Sequence, residues 1–283
     1  MSASGRRARQ FGFTLIELMV ALGIFLLVTG AAFGLLKSSQ ERYQTESQVL
    51  TSFQEARLAL DQIVRDVNDS GYPPPTYIVS SDPTLSASSP FAWSLSAGYP
   101  NSACQIATGG SGNCTTTIAG NTSPGDFDLI IETTPNRLDP TCPTAPAPCQ
   151  VQWIRYQLQG TTLYRGTAPK GPTGSDPDGT TSTQLVPFVQ NVINNSSSAQ
   201  ITQYQLAYPT MFPANAPVAI FSYNCDTGGV ATPCSAATGY NSPANIRDVV
   251  VTLIVSSPTP DAKTGLPRIV QLNGRGRRVN PNQ

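Results

Sequence analysis

The sequence predicts an α+β protein in which a long N-terminal helix packs on an antiparallel β-sheet domain with disulfide-bridged loops. Three observations support this fold class. An apolar run extends from Phe13 to Leu36 with Glu17 as its one charged residue. An amphipathic helical pattern follows over residues 37–71. Residues 72–283 then show short β-patterned stretches, with no helix long enough for a parallel crossover between them.

The apolar run is long enough to cross a membrane. At 1.5 Å per residue, Phe13 to Leu36 forms a helix of about 36 Å, and a bilayer needs about 20 apolar residues. Residues 1–12 carry three arginines and no acidic residue, which places the N-terminus in the cytoplasm by the positive-inside rule. Glu17 then lies near the cytoplasmic end of the span, where an ionisable group costs about 1–3 kcal/mol and requires a partner or a role.

The second half of the helix has one apolar stripe. Its six residues recur at helical spacing, and they are Val49, Phe53, Ala56, Leu60, Ile63 and Val67. The other faces carry charged and polar residues, among them Asp61, Arg65 and Asp66. Gly71 and the prolines at 73–75 end the pattern, because proline cannot continue a helix. We therefore expect one helix from Phe13 to Ser70, about 85 Å long, whose second half lies on a sheet.

The strands are predicted from alternation of apolar residues. They are Phe127–Glu132, a hairpin of Gln152–Leu158 with Thr162–Arg165, Leu185–Val192, Gln200–Tyr208, and a C-terminal hairpin of Ile246–Val255 with Arg268–Leu272. Pro187 restricts its strand to an edge or a bulge. In Gln200–Tyr208, the residues Thr202, Tyr204, Leu206 and Tyr208 are expected to share one face of a strand. The stretch from Tyr72 to Gly125 has no readable secondary structure.

The N-terminal motif closely resembles a known family signature. A basic leader, Gly12, and then Phe13-Thr14-Leu15-Ile16-Glu17-Leu18 before an apolar run is similar to the type IV prepilin signature, which pilins and type II secretion pseudopilins share. The resemblance implies that a prepilin peptidase cleaves after Gly12 and methylates the new amino group of Phe13. It also implies that Glu17 pairs with the N-terminal amine of a neighbouring subunit. Many major pilins have a proline inside this helix, whereas the first proline here is Pro73.

Two other interpretations of the N-terminus compete with this one. An ordinary secretory signal would be cleaved near the small residues Gly30 and Ala32, but Glu17 inside the apolar region and the apolar continuation to Leu36 argue against it. A plain membrane anchor would use Gly30 to Gly34 as a small-residue packing face. That interpretation leaves Gly12 and Glu17 without a role.

The order of the later segments extends the resemblance more weakly. The helix end at residues 66–72, the hairpin of residues 154–165 and the C-terminal hairpin are similar to PilW-type minor pilins and to the minor pseudopilin J. The resemblance implies residues 1–12 as leader, 13–36 as transmembrane and assembly helix, 37–71 as amphipathic helix and 72–283 as an extracytoplasmic β-rich domain.

Six cysteines occur as three close pairs, which are Cys104 and Cys114, Cys142 and Cys149, and Cys225 and Cys234. Six cysteines allow 15 connectivities, and pairing between sequence neighbours is the simplest. All six follow the membrane helix and lie in loop-like sequence, which is typical of disulfides in an oxidising compartment. A zinc or redox centre is disfavoured because the chain has no histidine and no Cys-x-x-Cys.

The composition argues against catalysis and against a basic nucleic-acid-binding domain. The chain has 17 basic and 17 acidic residues, and residues 13–283 retain 14 basic and 17 acidic ones. Lack of histidine removes the commonest general base, so no enzyme and no cofactor are expected. Asp176 and Asp178 are weak candidates for calcium, although a turn explains them as well. Arg275, Arg277 and Arg278 are either an anion site or a solvated end.

The resemblance to type IV prepilins and PilW-type minor pilins implies a minor pilin in the bacterial inner membrane that joins a pilus tip and primes assembly. The expected partners are the prepilin peptidase, other minor pilins, the major pilin and the inner membrane. The alternatives are a tip adhesin or DNA-capturing module, whose binding loops would be Ser80–Asn121 and Asn224–Asn241, and a type II secretion pseudopilin. Nucleic acid is expected as a partner only for DNA capture at the tip.

Overall fold

The computed structural model describes residues 14–74, 82–87, 90–91, 125–134, 150–171, 184–237, 239–261 and 265–278. The chain divides into two units, residues 1–48 and residues 49–283. The first unit supplies the membrane-type part of the N-terminal helix. The second contains the rest of that helix and both sheets, so the α+β prediction is confirmed.

Helix α1 extends from Leu15 to Asn68, close to the helix predicted from Phe13 to Ser70. Its residues 49–68 belong to the second unit, where Ala56, Ile63 and Val67 are fully buried. The predicted apolar stripe therefore forms the inner face of the helix. Gly71 has a φ of +80°, the left-handed conformation that commonly follows a helix end.

Two four-stranded sheets form the second unit, and each contains only antiparallel pairs, as predicted. The first sheet has the order β1-β2-β3-β4, with β1 at Asp128–Thr133, β2 at Gln152–Gln159, β3 at Thr162–Pro169 and β4 at Val186–Val189. The second has the order β6-β5-β7-β8, with β5 at Phe221–Asp226, β6 at Ala231–Pro233, β7 at Ile246–Pro260 and β8 at Pro267–Arg277.

The predicted β2–β3 hairpin is confirmed. Gln159 pairs with Thr162, which leaves a two-residue turn in which Gly160 has a φ of +59°. The prediction for Pro187 is also confirmed, because β4 is an edge strand and the β3–β4 register shifts between Leu163 and Tyr164. Proline lacks the N–H that a central strand needs, so it is tolerated at this edge.

The core joins α1 to both sheets. The buried helix residues share one cluster with Leu129 and Ile154 of the first sheet and with Val249 and Val251 of the second. Each fully buried aliphatic side chain contributes about 1.5–3 kcal/mol. The helix approaches β8 most closely at Gly276, where an added Cβ would lie 2.5 Å from Val67 Cγ1. Glycine at this position therefore sets the distance between helix and sheet.

The prediction of a strand at Gln200–Tyr208 is wrong, because Ser198–Ala207 forms a helix, α2. Ser197 at the N-cap donates its backbone N–H to Gln200 Oε1 at 3.3 Å, as in a capping box. Ile201 and Tyr204, three residues apart, are buried, whereas Leu206 is 85% exposed. Apolar residues at helical spacing therefore override the alternation that suggested a strand.

Helix α2 covers the outer face of the second sheet. Its Ile201 and Tyr204 belong to a second hydrophobic cluster that includes Ile254 of β7 and Ile269 of β8. Ile254 lies on the face opposite Val249 and Val251, because side chains alternate along a strand. The second sheet is thus packed between α1 on one face and α2 on part of the other.

None of the four strands in the second sheet is predicted in full. Strand β6, at Ala231–Pro233, lies in the stretch Asn224–Asn241 that was assigned to a loop, and β7 continues to Pro260, past its predicted end at Val255. The stretch Phe221–Asp226, assigned to a loop from Asn224 onward, forms β5 with an alternating burial of its side chains. Strand β8 continues five residues past the predicted end at Leu272. Those five residues include Gly274 and Gly276, and glycine is unfavourable in strands unless another element must approach closely.

Candidate assembly site on the N-terminal helix

The first turn of α1 is closed by a hydrogen-bond pair between Thr14 and Glu17. The backbone N–H and the hydroxyl of Thr14 both donate to Glu17 Oε2, each at 3.0 Å. The backbone N–H of Glu17 donates to Thr14 Oγ1 at 3.4 Å. A Thr-x-x-Glu sequence at a helix start gives this reciprocal arrangement, which satisfies N–H groups that have no partner within the helix.

The second carboxylate oxygen of Glu17 is available. Both Thr14 donors contact Oε2, and Oε1 accepts no hydrogen bond from any residue in the described part of the chain. Glu17 therefore caps its own helix and still presents an acceptor that a cation from elsewhere can approach. Gly12 and Phe13, the predicted cleavage and methylation residues, lie outside the described residues.

The helix around Glu17 has an apolar surface. The large apolar side chains from Leu15 to Leu36 are 57–77% exposed. Among the described residues, α1 is the one helix long and apolar enough to cross a membrane, and its most apolar 18-residue window has a mean hydropathy of 2.4. Gly30 and Gly34 are four residues apart, and an added Cβ on either would meet nothing within 4 Å. Such positions allow another helix to approach closely.

The second unit holds its part of α1 by polar contacts as well as apolar ones. Tyr156 of β2 donates its hydroxyl to Asp66 Oδ2 at 2.6 Å, and Arg165 of β3 lies 3.0 Å from the same oxygen. Burial, reinforced by the Asp66 carboxylate, raises the pKa of Tyr156 well above its ordinary value. Asp66 was expected on the solvated side of the helix, but it is buried, and this contact was missed.

A second buried polar cluster lies at one end of the first sheet. Lys170 Nζ is 3.0 Å from Glu132 Oε2, and both side chains are almost completely buried. Lys170 also donates to Ser86 O at 2.9 Å, and Trp153 Nε1 donates to Glu132 Oε1 at 3.2 Å. No local sequence pattern indicates this pair, because its members are 38 residues apart. The cluster fixes the ends of β1 and β3 to residue 86.

The remaining predicted site residues have different outcomes. The disulfide between Cys225 and Cys234 is present and joins β5 to the short turn after β6. The predicted pairs Cys104 with Cys114 and Cys142 with Cys149, and the calcium candidates Asp176 and Asp178, lie outside the described residues. Within the described ranges, no group of three or more Cys, Asp or Glu residues is placed to hold a metal ion.

The three C-terminal arginines do not form one anion site. Arg275 Nη2 donates to Asp248 Oδ2 at 2.6 Å on the outer face of the second sheet. Arg277 is exposed at the end of β8, whereas Arg278 is buried beside Gly71. Burial lowers the pKa of Arg278 to about 10. The predicted cluster is thus separated into three environments.

Comparison with known proteins places the N-terminus in a defined class. Residues 7–33 match the model of the prokaryotic N-terminal methylation motif. No curated protein matches the chain. Among solved structures, the chain is similar to a type IV-like pilin from Thermus thermophilus, with 11% identity, a TM-score of 0.34, and coverage of 80% of this chain and 96% of that one.

Proposed function

We propose that this chain, a type IV prepilin-family protein by its N-terminal methylation motif, is a minor pilin that enters a type IV pilus at its tip and primes assembly. The motif implies processing by a prepilin peptidase and assembly with other pilins. The motif and the apolar helix fit anchoring in the inner membrane. In this proposal residues 1–12 are the leader, and the β-rich domain is structural and non-catalytic.

The proposal rests mainly on the hydrogen bonding of the Glu17 carboxylate. Its Oε2 is held by Thr14 and its Oε1 is open, on a helix whose apolar side chains are exposed. A carboxylate among apolar groups is costly unless an opposite charge approaches. The ammonium that cleavage after Gly12 would create on a neighbouring subunit is such a charge. An uncleaved neighbour lacks it, so pairing would select processed subunits.

The events at the membrane follow from these groups. Insertion places the apolar helix in the bilayer with its capped N-terminus near the cytoplasmic face. Removal of residues 1–12 leaves Phe13 as the first residue, directly before Thr14. The helix of a neighbouring subunit then lies against the exposed apolar surface, where Gly30 and Gly34 permit close contact. Its amine reaches Glu17 Oε1 as the two helices come into register.

Two substitutions at one position test this role. Glu17→Gln keeps an acceptor oxygen for Thr14 but removes the charge, whereas Glu17→Leu removes both. We expect both variants to insert and to be processed, and both to fall at least about tenfold in their share of sheared filaments, since charge pairing is lost in each. Fractionation, mass spectrometry and quantitative immunoblotting of the filaments measure these three quantities.

The Gln variant separates the assembly role from the cap. If helix capping were the whole function of Glu17, Glu17→Gln would enter filaments like the unmodified chain, and the pairing mechanism would be refuted. Co-purification with the other minor subunits is measured in parallel, because a subunit at the tip meets its neighbours before the filament grows.

The same N-terminal features also occur in type II secretion pseudopilins, and adhesive or DNA-capturing tip subunits share them. Deletion of the chain followed by assays of piliation, attachment, DNA uptake and secretion distinguishes these functions. A loss of piliation supports the priming role. A loss of secretion with normal pili identifies a pseudopilin, and a loss of attachment or DNA uptake with normal pili identifies a tip module.

A further inference from the structure

Strand β8 pairs with β7 along one side, and on its other side most backbone groups have no partner among the described residues. In the β7–β8 ladder, Arg278 N–H donates to Arg247 O at 3.1 Å, so the even-numbered residues of β8 point their backbone groups toward β7. Thr252, opposite Asn273, donates its N–H away from β8, to Ile220 O at 2.8 Å. The odd-numbered residues of β8 therefore direct their N–H and C=O groups outward.

The outward groups form a long open edge. They belong to Pro267, Ile269, Gln271, Asn273, Arg275 and Arg277. Two of these residues are occupied: the Pro267 carbonyl oxygen accepts the Tyr208 hydroxyl at 3.3 Å, and Arg277 N–H donates to Asn68 Oδ1 at 2.7 Å. The backbone groups of the other four residues have no hydrogen-bond partner among the described residues. At about 3.4 Å per residue, the open part of the edge, from 269 to 275, is about 20 Å long, which is the length of a typical strand.

The edge strands β4 and β8 of the two sheets differ in length and in proline content. The edge strand β4 of the first sheet has four residues and contains Pro187, and a short strand with a proline is a poor template for another strand. β8 has 11 residues and no proline after its first position. Exposed edges of this length are usually blunted in proteins, because they pair readily with other chains. The open edge of β8 is therefore a candidate site for pairing with a strand of another chain.

The charge of this hairpin indicates the chemistry of that partner. Residues 246–278 carry six basic and two acidic side chains, a net charge of +4, in a chain whose residues 13–283 have an acidic excess of three. β8 itself has three arginines and no acidic residue: Arg268 and Arg275 are ion-paired with Asp261 and Asp248, and Arg277 lies exposed at the end of the strand. A second copy of the chain pairing through β8 would bring two hairpins of net charge +4 together. An extended segment with acidic side chains meets opposite charge instead.

We propose that the outer edge of β8 accepts an extended acidic segment of another filament subunit, which joins the second sheet as an additional strand. The backbone groups of residues 269–275 supply the hydrogen bonds, and the net positive charge of the β7–β8 hairpin, with Arg277 exposed at its end, selects the acidic segment. The source of the segment rests on the proposed function, in which the chain assembles with other pilins. The acceptor edge itself does not depend on it.

A designed peptide tests the edge on the full processed chain in detergent. The probe is a nine-residue peptide of alternating Thr and Glu, and the matched controls are the same peptide with Lys in place of Glu and one with alternate backbone N-methylation. We expect the acidic peptide to bind at least about tenfold more tightly than either control, because N-methylation removes the ladder bonds and Lys reverses the charge. Equal affinities, or no binding at millimolar peptide, overturn the proposal.

Substitutions at Asn273 locate the binding. Asn273→Pro removes an outward N–H that the chain's own ladder does not use, and Asn273→Ala keeps it. The Pro variant should bind the acidic peptide at least about tenfold more weakly, and the Ala variant should bind it normally. If the Pro variant is folded, as judged by circular dichroism, and binds normally, the edge is not the site. If it fails to fold, the N-methylated peptide still decides the question.

A photo-crosslinking amino acid at position 273 identifies the segment in cells that assemble the filament. We expect a crosslinked peptide that is acidic and comes from another prepilin-family subunit. Crosslinks confined to this chain, to a second copy of it, or to a basic segment overturn the proposal. A chain that binds the acidic peptide but never enters filaments would refute the proposed function and leave the acceptor edge intact. A chain that enters filaments and fails both tests would refute the edge alone.

Discussion

Two glycines on one face of β8 should respond very differently to alanine. Gly274 and Gly276 both face α1, and in an open strand Gly→Ala would be favourable by about 0.5–1 kcal/mol. A Cβ at 276 would lie 2.5 Å from Val67 Cγ1, 2.6 Å from Val67 Cβ and 3.1 Å from the backbone oxygen of Val64. A Cβ at 274 would meet the side chains of Leu60, at 2.8 Å, and Val64, at 3.0 Å. Ordinary contacts between carbons are about 3.5–4.0 Å.

The two clashes differ in whether the crowding atoms can move aside. Relief at 276 requires α1 to shift by about 1 Å, since the Val67 Cβ and the Val64 carbonyl oxygen belong to the helix frame. We expect Gly276→Ala to destabilise the chain by about 3 kcal/mol, the upper range for overpacking, and Gly274→Ala by about 1 kcal/mol, because the Leu60 end can rotate away. Overpacking then outweighs the gain in strand propensity at both positions.

A double-mutant cycle makes the reasoning testable. The change Leu60→Ala removes both Leu60 atoms that crowd position 274 but leaves position 276 untouched. Its coupling with Gly274→Ala should be favourable by about 1 kcal/mol, and its coupling with Gly276→Ala should be near zero. Free energies of unfolding come from denaturant titration of the full processed chain in detergent. A neutral or stabilising Gly276→Ala would refute the claim that glycine sets the helix-to-sheet distance.

Three further predictions concern other sites. Burial raises the pKa values of Tyr156 and Tyr223, so their contribution to stability is complete below pH 10 and is lost as the pH rises above it. The free energy of unfolding should fall by about 1.4 kcal/mol per pH unit for each tyrosine above pH 10, and Tyr223→Phe should reduce that slope by one such amount. Denaturant unfolding from pH 9 to 11 measures the slope, and Tyr240→Phe at an exposed site is the control. Lys170→Met should destabilise the chain by about 3–5 kcal/mol, because Glu132 stays buried without its cation. In the same titration, the double variant Glu132→Gln, Lys170→Met should be more stable than Lys170→Met alone. Equal stabilities would contradict the ion-pair argument. Gly12→Leu should block processing, whereas Gly12→Ala should retain it in part. Mass spectrometry of the N-terminus should find methylated Phe13 only in chains that are cleaved after residue 12. A mature N-terminus at Phe33 would instead indicate a secretory signal.

Features set by local patterning could be predicted from the sequence. The stripe from Val49 to Val67, the β2–β3 hairpin around Gly160, and the edge position of Pro187 each follow from residues close together in the chain. The error at Gln200–Tyr208 arose where two periods competed. Ile201 and Tyr204 fit a helix and Thr202 to Tyr208 fit a strand, and the cap at Ser197 was the overlooked signal.

Features set by distant partners could not be predicted. Asp66 lies on the edge of a polar helix face by periodicity, and aspartate is usually exposed. It is buried because Tyr156 and Arg165, 90 and 99 residues away in sequence, contact its carboxylate. The glycines of β8 are a similar case, since glycine is needed there only because a helix some 210 residues earlier in the chain packs closely against them. No local pattern indicates which distant element will approach them.

The same distinction explains why Glu17 stands out in the sequence whereas Asp66 and Glu132 do not. The two domain carboxylates have their charge matched within the chain, by Arg165 and by Lys170. Glu17 has Thr14 as its hydrogen-bond partner, and a threonine supplies no charge. Among the described residues no basic side chain lies against the Glu17 carboxylate, so its charge inside an apolar run is visible in the sequence itself. A counter-charge from another molecule would stabilise it, and that is the physical basis for proposing an assembly role at this end of the helix.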